Sequence, residues 1–213
     1  MNFLFWNINK KQDTISFLRD ICIEKDVDVL LLAESPLDLI SMESQLNLFV
    51  QNYNNVASLV CQKIQIFTKS SIKASVIEEQ SRHIAVSIEY NKKIITLIAL
   101  HFQSQMNWSE ADQGMHVPKL KTFIDLVEKK ETHQNTLVVG DFNMNPFDKA
   151  MVGSMGLNAV MEKRTASDKK RTVDGDEYHF FYNPMWAFLG DLGKGIVSGT
   201  HYYNSSAPIN YYW

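Results

Sequence analysis

Leu137-Val138-Val139-Gly140-Asp141-Phe142-Asn143 is the stretch on which the fold of this chain is decided. Three aliphatic residues make a buried strand, and a carboxylate and an amide follow where it ends. At average residue usage, Gly-Asp-Phe-Asn arises by chance in about one in a thousand chains of this size. A rigid sheet can aim side chains at its strand ends into a shared crevice, and the same pattern recurs elsewhere. Asn7 and Asn9 end an alternating strand over residues 2–9. Glu34 ends the aliphatic run Val27–Leu32, in Leu31-Leu32-Ala33-Glu34-Ser35, and His101 ends Ile98-Ala99-Leu100.

The elements between these ends are mixed in order. Asp13 or Thr14 can cap a helix whose Ile15, Leu18 and Cys22 keep helical spacing. Val27–Leu32 is nearly continuous aliphatic, as a strand covered on both faces must be. Pro36 is expected to open a short helix, since its missing N–H costs nothing there. Ile64–Thr68, Ile84–Tyr90 and Ile94–Leu100 are β-branched runs, the last two joined by a hairpin turn at Tyr90-Asn91-Lys92-Lys93. Val117, Leu120, Ile124 and Val127 form one helical stripe, with Lys129 and Lys130 where the dipole favours cations. Pro146 is expected to start a helical turn. Residues 162–177 read as a charged, flexible loop, and aromatic clusters follow at 178–188 and 202–213. The sum is α/β, with several hairpin-linked strands and no fully parallel doubly wound sheet.

Composition sets the outer limits. The chain has 213 residues and a net charge of −3 from 21 basic and 24 acidic side chains, so no global field draws it to a polyanion. No linker or repeat divides it, which favours one domain over 1–213. Cys22 and Cys61 read as buried small hydrophobes in a reducing compartment. No apolar run is long enough to span a membrane. Met1–Trp6 is too short, and lacks the basic lead, for a signal peptide, so a cytoplasmic location is expected.

The set Trp6-Asn7-Ile8-Asn9, Leu32-Ala33-Glu34, Ala99-Leu100-His101 and Gly140-Asp141-Phe142-Asn143, in this order, resembles the endonuclease/exonuclease/phosphatase superfamily over essentially the whole chain. Deoxyribonuclease I, exonuclease III, neutral sphingomyelinases and inositol polyphosphate phosphatases belong to that group. Met144-Asn145-Pro146-Phe147 and Phe181–Trp186 resemble its uncharacterised bacterial members. The resemblance implies a four-layer sandwich: two mixed β-sheets packed face to face, with helices outside. It implies a Mg²⁺-dependent phosphoesterase, with Mn²⁺ as the alternative ion. Glu34 would be the principal metal ligand with Asn7 beside it. Asp141 would orient and activate the attacking water, Asn143 would hold the scissile phosphate, and His101 would match the first histidine of the deoxyribonuclease I and sphingomyelinase branches. Asn9 is a further candidate substrate contact.

The chain departs from that family near its end. Members finish with an aspartate on a late strand and a Ser-Asp-His, and none of His83, His101, His116, His133, His179 or His201 follows Ser-Asp. Asp191 and His179 are the nearest substitutes and lack the right surroundings. The expectation is a domain truncated at its carboxyl end, poorly active, with an exposed edge around Tyr211, Tyr212 and Trp213 that a complementing chain or an oligomer could cover.

Three functions remain open. A phosphodiesterase acting on nucleic acid would use Lys163 and Arg164, within a cluster completed by Lys169, Lys170 and Arg171, although Glu162, Asp168, Asp174, Asp176 and Glu177 balance it. A phosphomonoesterase, or a lipid phosphodiesterase of the phosphoinositide phosphatase or sphingomyelinase kind, suits the slightly acidic charge better. A noncatalytic interaction module would have little reason to keep Asn7, Glu34, His101, Asp141 and Asn143 together.

Overall fold

The aliphatic run at Val27–Leu32 is buried on both faces because two different layers claim its alternate residues. Val29 and Leu31 pack among Ile64, Ile66, Ile84, Val86, Leu97 and Ala99, which fill the space between two sheets. Leu30 and Leu32 face the other way, against Leu18, Cys22, Met42 and Leu46 from two helices. Apolar residues at every position from Val29 to Ala33 give this outcome when a sheet is covered on both sides.

The structure is a computed structural model that describes residues 1–48, 52–104, 110–188, 201–203 and 210–212. It divides into two compact units, Met1–Phe102 with Leu126–Asp141, and Gln103–Asp125 with Phe142–Trp213. In chain order the first unit holds β1 (Phe3–Asn7), α1 (Thr14–Glu24), β2 (Val29–Ala33), α2 (Leu39–Asn47), β3 (Tyr53–Asn55), β4 (Ile64–Lys69), β5 (Lys73–Gln80), β6 (His83–Tyr90) and β7 (Lys93–His101). The end of α3 (Glu110–Glu131) and β8 (Thr136–Asp141) complete it.

One sheet has the order β1-β2-β4-β3, and the other β5-β6-β7-β8. Each is mixed: β1 runs parallel to β2 and β7 parallel to β8, and the remaining pairs are antiparallel. Helices α1 and α2 cover the outer face of the first sheet. The last turns of α3 are tied to the second, where Glu128 accepts from Thr136 at 2.7 Å and Glu131 from Ser87 at 2.9 Å. Lys130 also pairs with Glu78 of β5. The α/β sandwich expected from the sequence is the fold observed.

Several local expectations need correction. Pro36 does not open a helix; α2 starts at Leu39, where Asp38 caps it by accepting from the Ser41 N–H at 2.9 Å. A cap that supplies an acceptor outweighs a proline that only removes a donor. Strand β8 is less buried than its aliphatic run implies, with Leu137 36% exposed, because β7 is its one strand neighbour among the described residues. The hairpin at Asn91 and Lys92 is present, and both residues take positive φ, 50° and 62°, as a primed turn requires.

The second unit contains the first part of α3, α4 (Lys149–Val152), β9 (Ala159–Val160), α5 (Lys163–Ser167), β10 (Lys170–Val173), β11 (Asp176–His179), β12 (Phe181–Tyr182), a 3-10 turn at Pro184–Phe188, β13 (His201–Tyr203) and β14 (Asn210–Tyr212). Residues 162–177 are not a flexible loop. They form α5 and a hairpin closed by Asp174 and Gly175 at φ 53° and 90°. The sequence hid it because one two-residue turn orders strands with no apolar face. Pro146 begins a β-turn, closed by the Asp148 N–H on the Asn145 carbonyl at 3.1 Å, and the helix α4 comes after it. Asp191 and Trp213 lie outside the described residues.

Candidate active site

The parallel pairs of the two four-stranded sheets end at the same place. Asn7 is the last residue of β1, opposite Ala33, the last of β2, so Glu34 follows directly beside it. In the other sheet, the last residues of β7 and β8 are partners, His101 opposite Asp141. Side chains from both sheets then meet. The Asn7 amide nitrogen donates to Asp141 Oδ2 at 3.0 Å and to Glu34 Oε1 at 3.4 Å. His101 Nε2 lies 3.5 Å from the same Glu34 oxygen. Four residues from four strand ends therefore share one set of contacts.

Local backbone geometry makes this possible. Glu34, Asn9 and Lys10 all take left-handed φ values, 50°, 49° and 57°. Each such residue costs on the order of 1 kcal/mol relative to ordinary geometry. Two ladder-like bonds hold the bends, Ile8 N–H to the Ala33 carbonyl at 3.1 Å and Lys10 N–H to the Glu34 carbonyl at 2.8 Å. Gly140 solves a different problem. Its φ is 154°, and a Cβ there would stand 1.9 Å from the Leu100 carbonyl oxygen. Only glycine lets β8 run this close to β7 one residue before Asp141.

The electrostatics centre on one amide serving two carboxylates. The Asn7 side-chain oxygen accepts from the Asn9 N–H at 3.0 Å, which fixes its nitrogen towards Glu34 and Asp141. The side chain of His101 is 12% exposed and that of Glu34 32%, so both are partly withdrawn from water. Among the described residues, His101 Nδ1 is buried and has no hydrogen-bond partner.

Among the described residues, no group of three His, Cys, Asp or Glu side chains forms a protein-only cage for a metal. An ion that keeps waters and takes substrate oxygens needs only one or two carboxylates from the protein, and Glu34 and Asp141 are the carboxylates that the Asn7 amide joins. The Asn7 nitrogen faces them while its oxygen is engaged by the Asn9 N–H.

Asn9 takes part through its backbone and is exposed. Asn143, at φ 52°, belongs to the second unit, as do Lys163 and Arg164 on α5. Lys163 Nζ sits 5.6 Å over the Tyr182 ring. Lys170 pairs with Glu177 at 2.6 Å. His179 is on β11 and His201 on β13. Sequence reasoning missed the bridging part of Asn7 and the steric need for Gly140; a glycine before a strand-end carboxylate was the available signal for the latter.

No family model matches the chain, and no curated protein matches it. Solved structures match it in fold. The beta toxin of Staphylococcus aureus, in a variant crystallised with bound magnesium ions, aligns with a TM-score of 0.52 at 15% identity, over 75% of this chain and 71% of that one. A humanised D. rerio TDP2 aligns at 0.50 and 17% identity, over 71% of this chain and 65% of that one. An endonuclease/exonuclease/phosphatase family protein from Bacteroides thetaiotaomicron aligns at 0.51 and 9%, over 70% and 66%. The matched region thus spans just under two thirds of the TDP2 chain. These likenesses concern the fold alone: the chain folds as these solved structures do, at 9% to 17% identity.

Proposed function

We propose that the chain is a Mg²⁺-dependent phosphodiesterase whose reaction centre is Asn7, Glu34, His101 and Asp141. The observation that carries the reading is the single Asn7 amide bound to two carboxylates from different sheets, with His101 against one of them. Glu34 would hold the ion, with Mn²⁺ as a substitute. A bound divalent ion neutralises charge on the phosphoryl oxygens. Asp141 orients the attacking water and takes its proton. His101 donates to a phosphate oxygen as negative charge grows on it. Asn7 keeps the two carboxylates apart and aimed.

The nucleic-acid form of this reading rests on Lys163 and Arg164, whose surroundings are electrically balanced by acidic neighbours. DNA and RNA are therefore arms of the test and not its premise. Ion binding is read beside turnover. Hydrolysis of bis-p-nitrophenyl phosphate, plasmid DNA and short RNA is measured with and without Mg²⁺, together with the shift in melting temperature that Mg²⁺ produces. Glu34→Ala should abolish the shift and the hydrolysis. Asp141→Ala should cut hydrolysis by about a hundredfold or more. A Mg²⁺ shift of equal size in wild type and Glu34→Ala, or hydrolysis indifferent to both substitutions, would refute the assignment.

A further inference from the structure

One carboxylate collects four donors at the rim of the same strand ends. Glu79, the next-to-last residue of β5, accepts from the Ser58 hydroxyl and from the backbone N–H groups of Leu59, Val60 and Cys61, the last three at 3.1, 3.1 and 3.2 Å. Burial pushes this carboxyl up, but the bonds outweigh it and hold it below the usual glutamate range. The loop between β3 and β4 is thereby fastened to the other sheet with a defined facing. Cys61 is fully buried between the sheets, while Leu59 and Val60 turn outward, 87% and 53% exposed. A single exposed leucine is ordinary. Two adjacent aliphatic residues held outward by three consecutive clamped N–H groups are an imposed arrangement.

Strand register shows where that pair stands. Ile64, at the end of the loop, is opposite Ala33, the residue before Glu34. Gln80, the residue after Glu79, is opposite His83, which is opposite Leu100, the residue before His101. The loop and its clamp are thus at the end of the sandwich where Asn7, Glu34, His101 and Asp141 meet. Lys63 in the loop, and Lys10 and Lys11 after β1, are exposed at that end as well. β1 and β4 flank β2, which sets their ends about 10 Å apart by ladder spacing.

Aliphatic side chains beside lysines match a phospholipid surface. The former enter the acyl boundary and the latter meet headgroup phosphates. Single-stranded nucleic acid is held largely by stacking on aromatic rings, and residues 56–63 contain none. We propose that the Leu59–Val60 loop, clamped by Glu79 and flanked by Lys63, Lys10 and Lys11, docks the protein on an anionic phospholipid surface. The docking does not rest on the phosphodiesterase reading.

The test is partition of the full chain onto vesicles of mixed phosphatidylcholine and phosphatidylserine, and of phosphatidylcholine alone, followed by sedimentation. Leu59→Ser with Val60→Ser should weaken binding about tenfold or more, the loss of two inserted aliphatic groups. Lys63→Glu should weaken binding to the mixed vesicles and flatten its salt dependence. Ile94→Ser removes an exposed aliphatic residue at the opposite end of β7 and should leave binding as it is. Near-UV circular dichroism checks that each variant is folded. Wild type failing to bind the mixed vesicles, or the double variant binding them as tightly, overturns the proposal. So does loss in the double variant of binding to a single-stranded oligonucleotide instead of vesicles. Vesicle binding without turnover would leave docking standing and count against the phosphodiesterase; turnover without vesicle binding would do the reverse.

Discussion

Gly140→Ala should damage this protein far more than a methyl group ordinarily does. The added Cβ would stand 1.9 Å from the Leu100 carbonyl oxygen, where real Cβ contacts below 3.0 Å are essentially never found. The obstacle is backbone, so β8 must move away from β7 by about 1 Å, enough to stretch a ladder hydrogen bond past its useful range. Two or three such bonds at about 1 kcal/mol each, with an overpacking cost of about 1–3 kcal/mol, give a loss of about 3–6 kcal/mol. For a chain of this length, 1 kcal/mol moves the melting temperature by about 2–4 °C, so a fall of about 6 °C or more is expected. The strain is also local. Gly140 precedes Asp141, whose carbonyl accepts from the Phe102 N–H at 2.9 Å and whose carboxylate meets Asn7. Hydrogen exchange at Phe102 should therefore accelerate more than at β4. Gly114→Ala is the control: it sits within α3 with nothing within 4 Å of the added methyl, and helix propensity favours it by about 0.5–1 kcal/mol. Urea denaturation of both variants makes the comparison. Gly140→Ala within about 1 kcal/mol of wild type, or no more harmful than Gly114→Ala, would show that the close approach of β7 and β8 is not real.

Two further outcomes follow from single side chains. Burial depresses His83 to about 4, against an ordinary histidine value of 6.5. The unfolded chain then binds the extra proton first, so stability is whole above pH 6.5 and declines as pH falls towards the folded value. Denaturation at pH 5 should show a loss of about 2 kcal/mol relative to pH 7 from this residue, and His83→Phe should remove that part of the slope; an unchanged slope counts against a neutral buried ring. Asn7→Asp replaces a donor shared by Glu34 and Asp141 with a third carboxylate. In EDTA it should destabilise the fold by about 1–3 kcal/mol, and Mg²⁺ should restore more of the melting temperature than it adds to wild type. An Asn7→Asp chain as stable as wild type in EDTA would mean the bridge contributes nothing.

The parts of the fold that were legible in the sequence are those with two-sided burial or long periodicity. Val29 through Leu32 announced a central strand because both core clusters need it, and Val117, Leu120, Ile124 and Val127 announced α3, all of them fully buried. What was lost to reading has one physical cause: edges and short pieces carry no clear apolar period. β5 runs Lys73–Gln80 with no fully buried residue, at the edge of its sheet and with a register shift between Val76 and Glu78. The β10–β11 hairpin is almost entirely exposed. The short β3 is placed from outside itself, by the Tyr53 hydroxyl on the Val27 carbonyl and by Asn47, which takes the Tyr53 N–H at 2.7 Å. None of these is a local pattern.

The candidate site was legible for a different reason. A parallel pair brings two carboxyl ends side by side, and each sheet contains one such pair. Polar residues placed after aliphatic runs therefore had to meet if the two sheets packed with those ends aligned, which is how Asn7 comes to touch Asp141 across a sequence separation of 134 residues. Sequence identifies which residues stand at strand ends but not which atom of an amide faces its neighbours. That is decided by the bend after β1, where the Asn9 N–H takes the Asn7 oxygen and leaves the nitrogen to the carboxylates. The left-handed residues at Asn9, Lys10 and Glu34 are the cost of that bend. Their strain belongs to the site and not to the sandwich, because straight continuation of β1 and β2 would keep the sheet but take the Asn9 N–H from the Asn7 oxygen and turn Glu34 away from His101.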